Sequence, residues 1–259
     1  MRSFCIYIII IISMFLPSCV KHRTLDSNQI AVVNGHIITV EDIQKKLKTF
    51  QLEKDLYMYN SFKNNIYPNL ELLHLRQDHI DYVINLLKNK KLEDARNFIA
   101  SLNGYKDVEA LRYFLLKEID VYEEILNKQN NVIAAFEEAL KDVIILQEAK
   151  SRSLLPTKNE LEKAYETYLC NIQEKIDENI YYQYFYSFMK TREKELFQLD
   201  TEEAYRNYLF EKIKYSIIKK RLKKEIGSYK FNHFIKNKLK ESNILLNEKY
   251  KTYQNNSKS

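Results

Sequence analysis

Apolar positions along this chain repeat with two periods, a short alternating one near the start and a helical one almost everywhere after it. The stretch Ile30–Phe50, IAVVNGHIITVEDIQKKLKTF, holds both. Asn34-Gly35 accepts φ > 0 at the two central positions of a type I′ turn, so the flanking apolar runs are predicted to pair as a hairpin. Thr39 suits an N-cap, and Asp42 three residues later completes a capping-box pattern. Val40, Ile43, Leu47 and Phe50 then follow at helical spacing.

Further along, Asn64-Asn65 and Pro68 mark a break. Leu73, Ile80, Val83, Ile84 and Leu87 predict a helix, and Leu92–Leu102 a shorter one stopped by Asn103-Gly104. Val108, Leu111, Leu115, Ile119, Tyr122 and Leu126 form one of the cleanest stripes. Leu70–Asn127 therefore reads as helical hairpins with a likeness to tetratricopeptide-type helix pairs. It has no fixed period, so no repeat is assigned. Val132, Phe136, Ala139, Leu140, Val143 and Ile144 begin a strong helix ending near Ser151. Pro156 precedes a second capping box, Thr157 with Glu160. Leu161, Tyr165, Tyr168, Leu169, Ile172 and Ile176 give the apolar face of that helix. Asp200 and Glu203 signal the start of a long helix, in which Tyr205, Leu209, Ile213 and Ile217 step by four. Ile218, Leu222 and Ile226 continue it on a neighbouring face. A Lys-rich helix and a short apolar run, Ser242–Asn247, close the pattern.

Composition agrees with a helical protein. Only three glycines and three prolines occur in 259 residues. So few backbone breakers disfavour β-sandwiches, Rossmann units and loop-built active sites. Hydrophobic residues make up 45% and charged residues 29%, enough to bury a core and too apolar for disorder. The abundance of Ile, Lys, Asn and Tyr fits a biased genome composition as well as any function.

Residues 1–18 read as a leader. Arg2 precedes an apolar run of 13 residues, Phe4–Leu16, short of the ~20 a spanning helix needs. It ends in Leu16-Pro17-Ser18-Cys19, which resembles the lipobox of bacterial lipoproteins, with Pro17 an uncommon choice. An ordinary signal peptide with a coincidental cysteine, or an uncleaved anchor, is the alternative. Two or more acyl chains such as palmitate on Cys19 would hold the protein on a membrane of the bacterial cell envelope, facing the periplasm or the cell exterior. Residues 19–29 form the lipidated cysteine and a polar tether. Cys5 leaves with the leader and lipid blocks Cys19, so only Cys170 remains and no internal disulfide forms. Cys170 reads as a small apolar packing residue.

Three stretches resemble the SurA-like N-terminal chaperone domain, a module related to the chaperone part of trigger factor. The first is Val32-Val33-Asn34-Gly35 with Ile38-Thr39 and Glu41-Asp42-Ile43. The second is Leu146 with Glu148-Ala149-Lys150, followed by the capped helix from Thr157. The third is the Asp200–Ile226 helix with the Ser242–Asn247 strand. The resemblance implies a mainly α fold, an elongated helical bundle with a small three-stranded sheet in which the C-terminal strand pairs with the N-terminal hairpin. A third strand is also what a lone hairpin needs for stability in water. The expected organisation is one domain over residues 30–250, with 51–131 as a helical insertion longer than the family would have and 251–259 as a flexible tail. Neither a glycine-rich parvulin isomerase domain nor a free span to hold one is present.

Candidate chemistry is sparse. The histidines, His22, His36, His74, His79 and His233, form no i, i+4 pair or H-E-x-x-H motif, and there is no Cys-x-x-Cys. Gly35, Gly104 and Gly227 stand too far apart for any phosphate loop. No enzyme activity and no cofactor is expected. Basic and acidic residues are interleaved, so the formal charge of +6, or +5 without Arg2, describes a mildly basic surface rather than a nucleic-acid stripe. The cluster Lys219, Lys220, Arg221, Lys223 and Lys224 suits a solvated helix face or anionic lipid head groups. Tyr181–Phe188, YYQYFYSF, is the most suggestive binding feature. Its rings offer large contact area at low entropy cost, and Tyr181, Tyr182, Tyr184, Phe185 and Tyr186 cannot all face one way on a helix. The expected function is an ATP-independent holdase for unfolded or nascent exported proteins. The competing expectation is an envelope lipoprotein whose helical body binds one specific partner.

Overall fold

The computed structural model describes residues 25–61, 66, 70–71, 77–102 and 108–250. The leader, Cys5, Cys19, the first part of the tether, the tail from residue 251, and the breaks at Asn64-Asn65, Pro68 and Asn103-Gly104 lie outside the described residues, as do His22, Leu73 and His74. Among the described residues the chain forms three strands and nine α-helices. In order these are β1 (Gln29–Val33), β2 (His36–Thr39), α1 (Val40–Ser61), α2 (Gln77–Lys88), α3 (Leu92–Ser101), α4 (Val108–Lys128), α5 (Val132–Ser151), α6 (Lys158–Glu178), α7 (Ile180–Phe197), α8 (Glu202–Ile226), α9 (Phe231–Glu241) and β3 (Ile244–Leu246). The fold is mainly helical with one small antiparallel sheet, as the periodicity predicts.

The sheet has the order β2-β1-β3. Val33 pairs with His36 across a turn in which Asn34 has φ 48° and Gly35 φ 87°, the conformation that an Asn-Gly pair tolerates best. On the other edge of β1, Ala31 pairs with Leu246 and Val33 with Ile244. Placing the most apolar strand in the centre buries Ile30–Val33 on both sides. The chain then turns directly into α1. The Thr39 N–H donates to the Asp42 carboxylate at 2.8 Å, and the Asp42 N–H donates back to the Thr39 hydroxyl at 3.2 Å. Glu41 and Asp42 add favourable charge at the positive end of the helix dipole.

Two apolar cores follow. The first lies under the sheet, where Ile30, Val33 and Ile38 meet Ile43 and Phe50 of α1, Phe136, Leu140 and Ile144 of α5, Ile218 and Leu222 of α8, and Phe231 and Ile235 of α9. Asp142 of α5 stitches this layer together, taking an ion pair from Lys46 of α1 and a hydrogen bond from the Tyr215 phenol of α8. The second core gathers Ile80, Val83 and Leu87 of α2, Ala95 and Ile99 of α3, and Leu115, Ile119 and Tyr122 of α4. Helix α1 serves both cores. Phe50 is buried in the first, and seven residues on, the Tyr57 ring stacks on Tyr122 at 5.7 Å while its hydroxyl donates to the Glu118 carbonyl at 2.6 Å. The helix therefore crosses residue 51 unbroken and ties the following helices to the sheet.

One start signal moves. The N-cap of α8 is Thr201, whose hydroxyl accepts from the Ala204 N–H at 3.0 Å, and not Asp200. Both residue types cap well. Thr201 wins because Ala204, the third residue beyond it, is in reach once Tyr205 turns inward.

Candidate functional site

The aromatic run lies on α7, which pairs with α6 as a tight hairpin. A single residue, Asn179, makes the turn. Its extended backbone ends α6 with an N–H bond to the Lys175 carbonyl at 3.1 Å, and its side chain accepts from the Tyr181 N–H at 2.9 Å to start α7. Asparagine suits both tasks, since its short amide competes for backbone donors.

The two helices are thinly covered. Of the expected apolar face of α6 only Ile172 is fully buried. Leu161, Tyr165, Tyr168 and Ile176 are half-buried, and Leu169 is 39% exposed. Cys170, expected to pack inside, is exposed. It follows Leu169 on a helix whose neighbours reach only the Ile172 side, so nothing closes over the thiol. At the start of α7, Ile180, Tyr181 and Tyr184 are 59%, 63% and 56% exposed. The remaining candidates for client contact turn inward. Tyr182 lies 6.3 Å from Phe185 and under the Lys175 ammonium. Phe185 and Phe188 pack on Tyr59 of α1, Phe188 stacking at 4.3 Å. Tyr186 lies beside Glu193 and Tyr205. Arg192 completes the α1–α7 joint with a 2.6 Å ion pair to Asp55.

Between α7 and α8 lies a polar centre that sequence reasoning missed. Glu193 is fully buried. Its carboxylate accepts from the Tyr205 phenol at 2.8 Å and the Tyr208 phenol at 3.4 Å, and pairs with the Lys212 ammonium. Burial, then the Glu193 charge, pushes the Tyr205 and Tyr208 phenols well above the ordinary tyrosine range. Tyr168 of α6 is shifted the same way, by burial first. The Tyr205 and Tyr208 hydroxyls stay protonated and keep donating. A buried carboxylate without partners is strongly unfavourable, so three donors on one face of α8 are what hold Glu193 inside. The signal was present. Glu193 falls in line with Tyr186, Met189 and Phe197 at helical spacing, a charge inside an apolar stripe.

Beside this centre, a shallow groove of about 320 Å³ opens between α6 and α8, lined by Glu162, Tyr165, Glu166, Arg206 and Phe210. The Tyr165 and Phe210 rings lie 4.7 Å apart, with the Arg206 guanidinium 5.5 Å and 5.3 Å from their centres. Among the described residues no three His, Cys, Asp or Glu side chains gather as a metal site, and no helix is long and apolar enough to cross a membrane. Comparison with known proteins yields no match to a family model, to a curated protein or to a solved structure.

Proposed function

We propose that this protein is a membrane-anchored, ATP-independent chaperone that holds unfolded exported polypeptides, with the α6–α7 hairpin as its contact arm. The observation that carries the reading is the uncovered apolar surface of that arm: Leu169, Ile180, Tyr181 and Tyr184 stand in solvent on two helices with little core of their own. Rigid aromatic and aliphatic side chains on an open surface bind apolar segments without demanding one sequence. The hairpin-helix opening and the returning C-terminal strand are the parts of the fold on which the SurA-like resemblance rests. The anchor is the lipid expected on Cys19, and the activity is expected to involve neither nucleotide nor prolyl isomerisation.

The test uses the chain from Lys21 onward, which keeps every residue of both cores. It should slow aggregation of several unrelated unfolded proteins at near-stoichiometric ratios. Ile180, Tyr181 and Tyr184, all replaced by serine, should weaken that effect with the helical circular dichroism unchanged. Absence of any protection, together with tight binding to one native partner, would replace this reading with that of a specific binding protein.

A further inference from the structure

Charge is unevenly spread along the chain. Residues 219–241 contain nine lysines and arginines against two glutamates, so this stretch exceeds the formal +6 of the whole protein. It covers the last two turns of α8, the four-residue connection Gly227–Lys230, and α9. The local carboxylates are already engaged. Glu225 pairs with Arg152, Glu241 with Lys238, and from neighbouring helices Glu160 pairs with Arg221 and Glu148 with Lys238. Among the described residues no carboxylate lies within ion-pair distance of Lys220, Lys224, Lys230, Lys236 or Lys240, and all five are exposed. Lys220 with Lys224, and Lys236 with Lys240, sit one helical turn apart, so each helix presents a like-charged pair that gains nothing from folding.

At the connection between the two helices stands Tyr229. It is 84% exposed, the most open of the large apolar and aromatic side chains among the described residues. Gly227 (φ 94°) ends α8, its N–H donating to the Lys223 carbonyl. An exposed amphipathic ring with the Lys230 ammonium 5.5 Å from its centre matches the border between lipid head groups and acyl chains. The apolar side of this region is already occupied: Phe231 and Ile235 belong to the first core, which also holds Ile30 of β1, the strand that follows the N-terminal tether. A lipid on Cys19 would sit ten residues before Gln29, within roughly 35 Å of the sheet even when fully extended.

We propose that the end of α8, the Tyr229 turn and α9 form a docking surface for an anionic phospholipid bilayer. This rests on the membrane-anchoring reading above. Clusters of four to eight basic residues on helices near a membrane attract acidic lipid head groups, and such a contact would add to the hold of the acyl chains on Cys19. The surface would lay the domain down against the membrane and hold α8 and α9 at it.

The test is co-sedimentation of the unlipidated chain from Lys21 with vesicles of phosphatidylcholine alone or with one-third phosphatidylglycerol, at low and physiological salt. Binding is expected only with the anionic vesicles and should weaken with salt. Lys220, Lys224, Lys236 and Lys240, all changed to glutamine, should reduce it about tenfold or more. Tyr229→Ser should reduce it less and independently of salt. These side chains lie outside both cores, so thermal unfolding of the variants should match the parent. Equal binding to both vesicle types, unchanged binding by the four-lysine variant, or stronger binding to duplex DNA at equal phosphate concentration would each overturn the proposal. Lipid labelling at Cys19 is measured separately. A labelled protein whose unlipidated form ignores anionic vesicles refutes this surface and leaves the anchor standing; vesicle binding without any label does the reverse.

Discussion

Asn34 and Asn243 hold each other in both directions across 209 residues of chain. The Asn34 N–H donates to the Asn243 carbonyl at 3.0 Å, and the Asn243 N–H donates to the Asn34 side-chain oxygen at 2.9 Å. The Asn34 amide nitrogen also donates to Ser242 and to Gln147 of α5. One turn residue thus sets the hairpin, receives the last strand and pins both to the core.

Two changes test this closure. Asn34→Ala loses three side-chain hydrogen bonds and keeps a non-glycine residue at φ 48° without the local polar compensation. It should cost about 1–3 kcal/mol in chemical denaturation. Ending the chain before Ser242 strips β3 from a minimal sheet and uncovers β1, and should cost more. Unchanged denaturation midpoints for the truncated chain would mean that β3 contributes nothing.

The buried Glu193 centre makes a second prediction. Glu193→Ala removes the acceptor that two phenols and Lys212 share, and should destabilise by about 2–4 kcal/mol, or roughly 3 °C per kcal/mol for a protein of this size. Tyr205→Phe leaves Glu193 with fewer donors and should cost about 1–3 kcal/mol. The two losses should be strongly non-additive, since they remove one network. Additive losses in a double-mutant cycle would show that the hydroxyl and the carboxylate act apart.

Much of the fold was legible because it is encoded locally. Asn34-Gly35, the Thr39–Asp42 box and the Thr157–Glu160 box each complete their geometry within a few residues, so sequence spacing suffices. What failed needed tertiary knowledge. The stripe from Leu161 to Ile176 shows which face of α6 is apolar but not that only part of it is covered, which is why Cys170 was misplaced. Glu193 reads as one more surface charge until Tyr205, Tyr208 and Lys212 arrive from a different helix. Likewise, the tyrosine run divides only after Tyr59 takes Phe185 and Phe188, leaving Tyr181 and Tyr184 outside.

Alkaline pH should unfold the protein through the same residues. The Tyr168, Tyr205, Tyr208 and Tyr215 phenols are held well above their ordinary range, mainly by burial and next by Tyr186 for Tyr168, by Glu193 for Tyr205 and Tyr208, and by Asp142 for Tyr215. In the unfolded chain they ionise near pH 10. Above that pH the unfolded state has released protons that the folded state retains, so stability is full below about pH 10 and falls as pH rises. Tyrosinate absorbance should therefore show one fraction titrating normally and another appearing only with loss of helical signal. A single smooth titration with the helices intact would contradict the buried cluster.

Cys170 supplies the final prediction, because an exposed thiol on α6 reports on what covers the contact arm. In the chain from Lys21 it is the only cysteine. It lies beside the exposed Leu169, two residues before the buried Ile172, and across the hairpin from α7. A maleimide dye should label the native protein to one equivalent, at a rate near that of the unfolded chain. Burial of the kind expected from sequence would have slowed this reaction strongly. Saturating the protein with an unfolded, cysteine-free client should slow labelling if the client lies along α6 and α7. A dye placed by Cys substitution at the exposed Asn232 of α9, a helix that packs on α5 and α8, in a Cys170→Ser background, should be unaffected. Equal protection at both positions would indicate general aggregation, and protection at neither would place the client away from this arm.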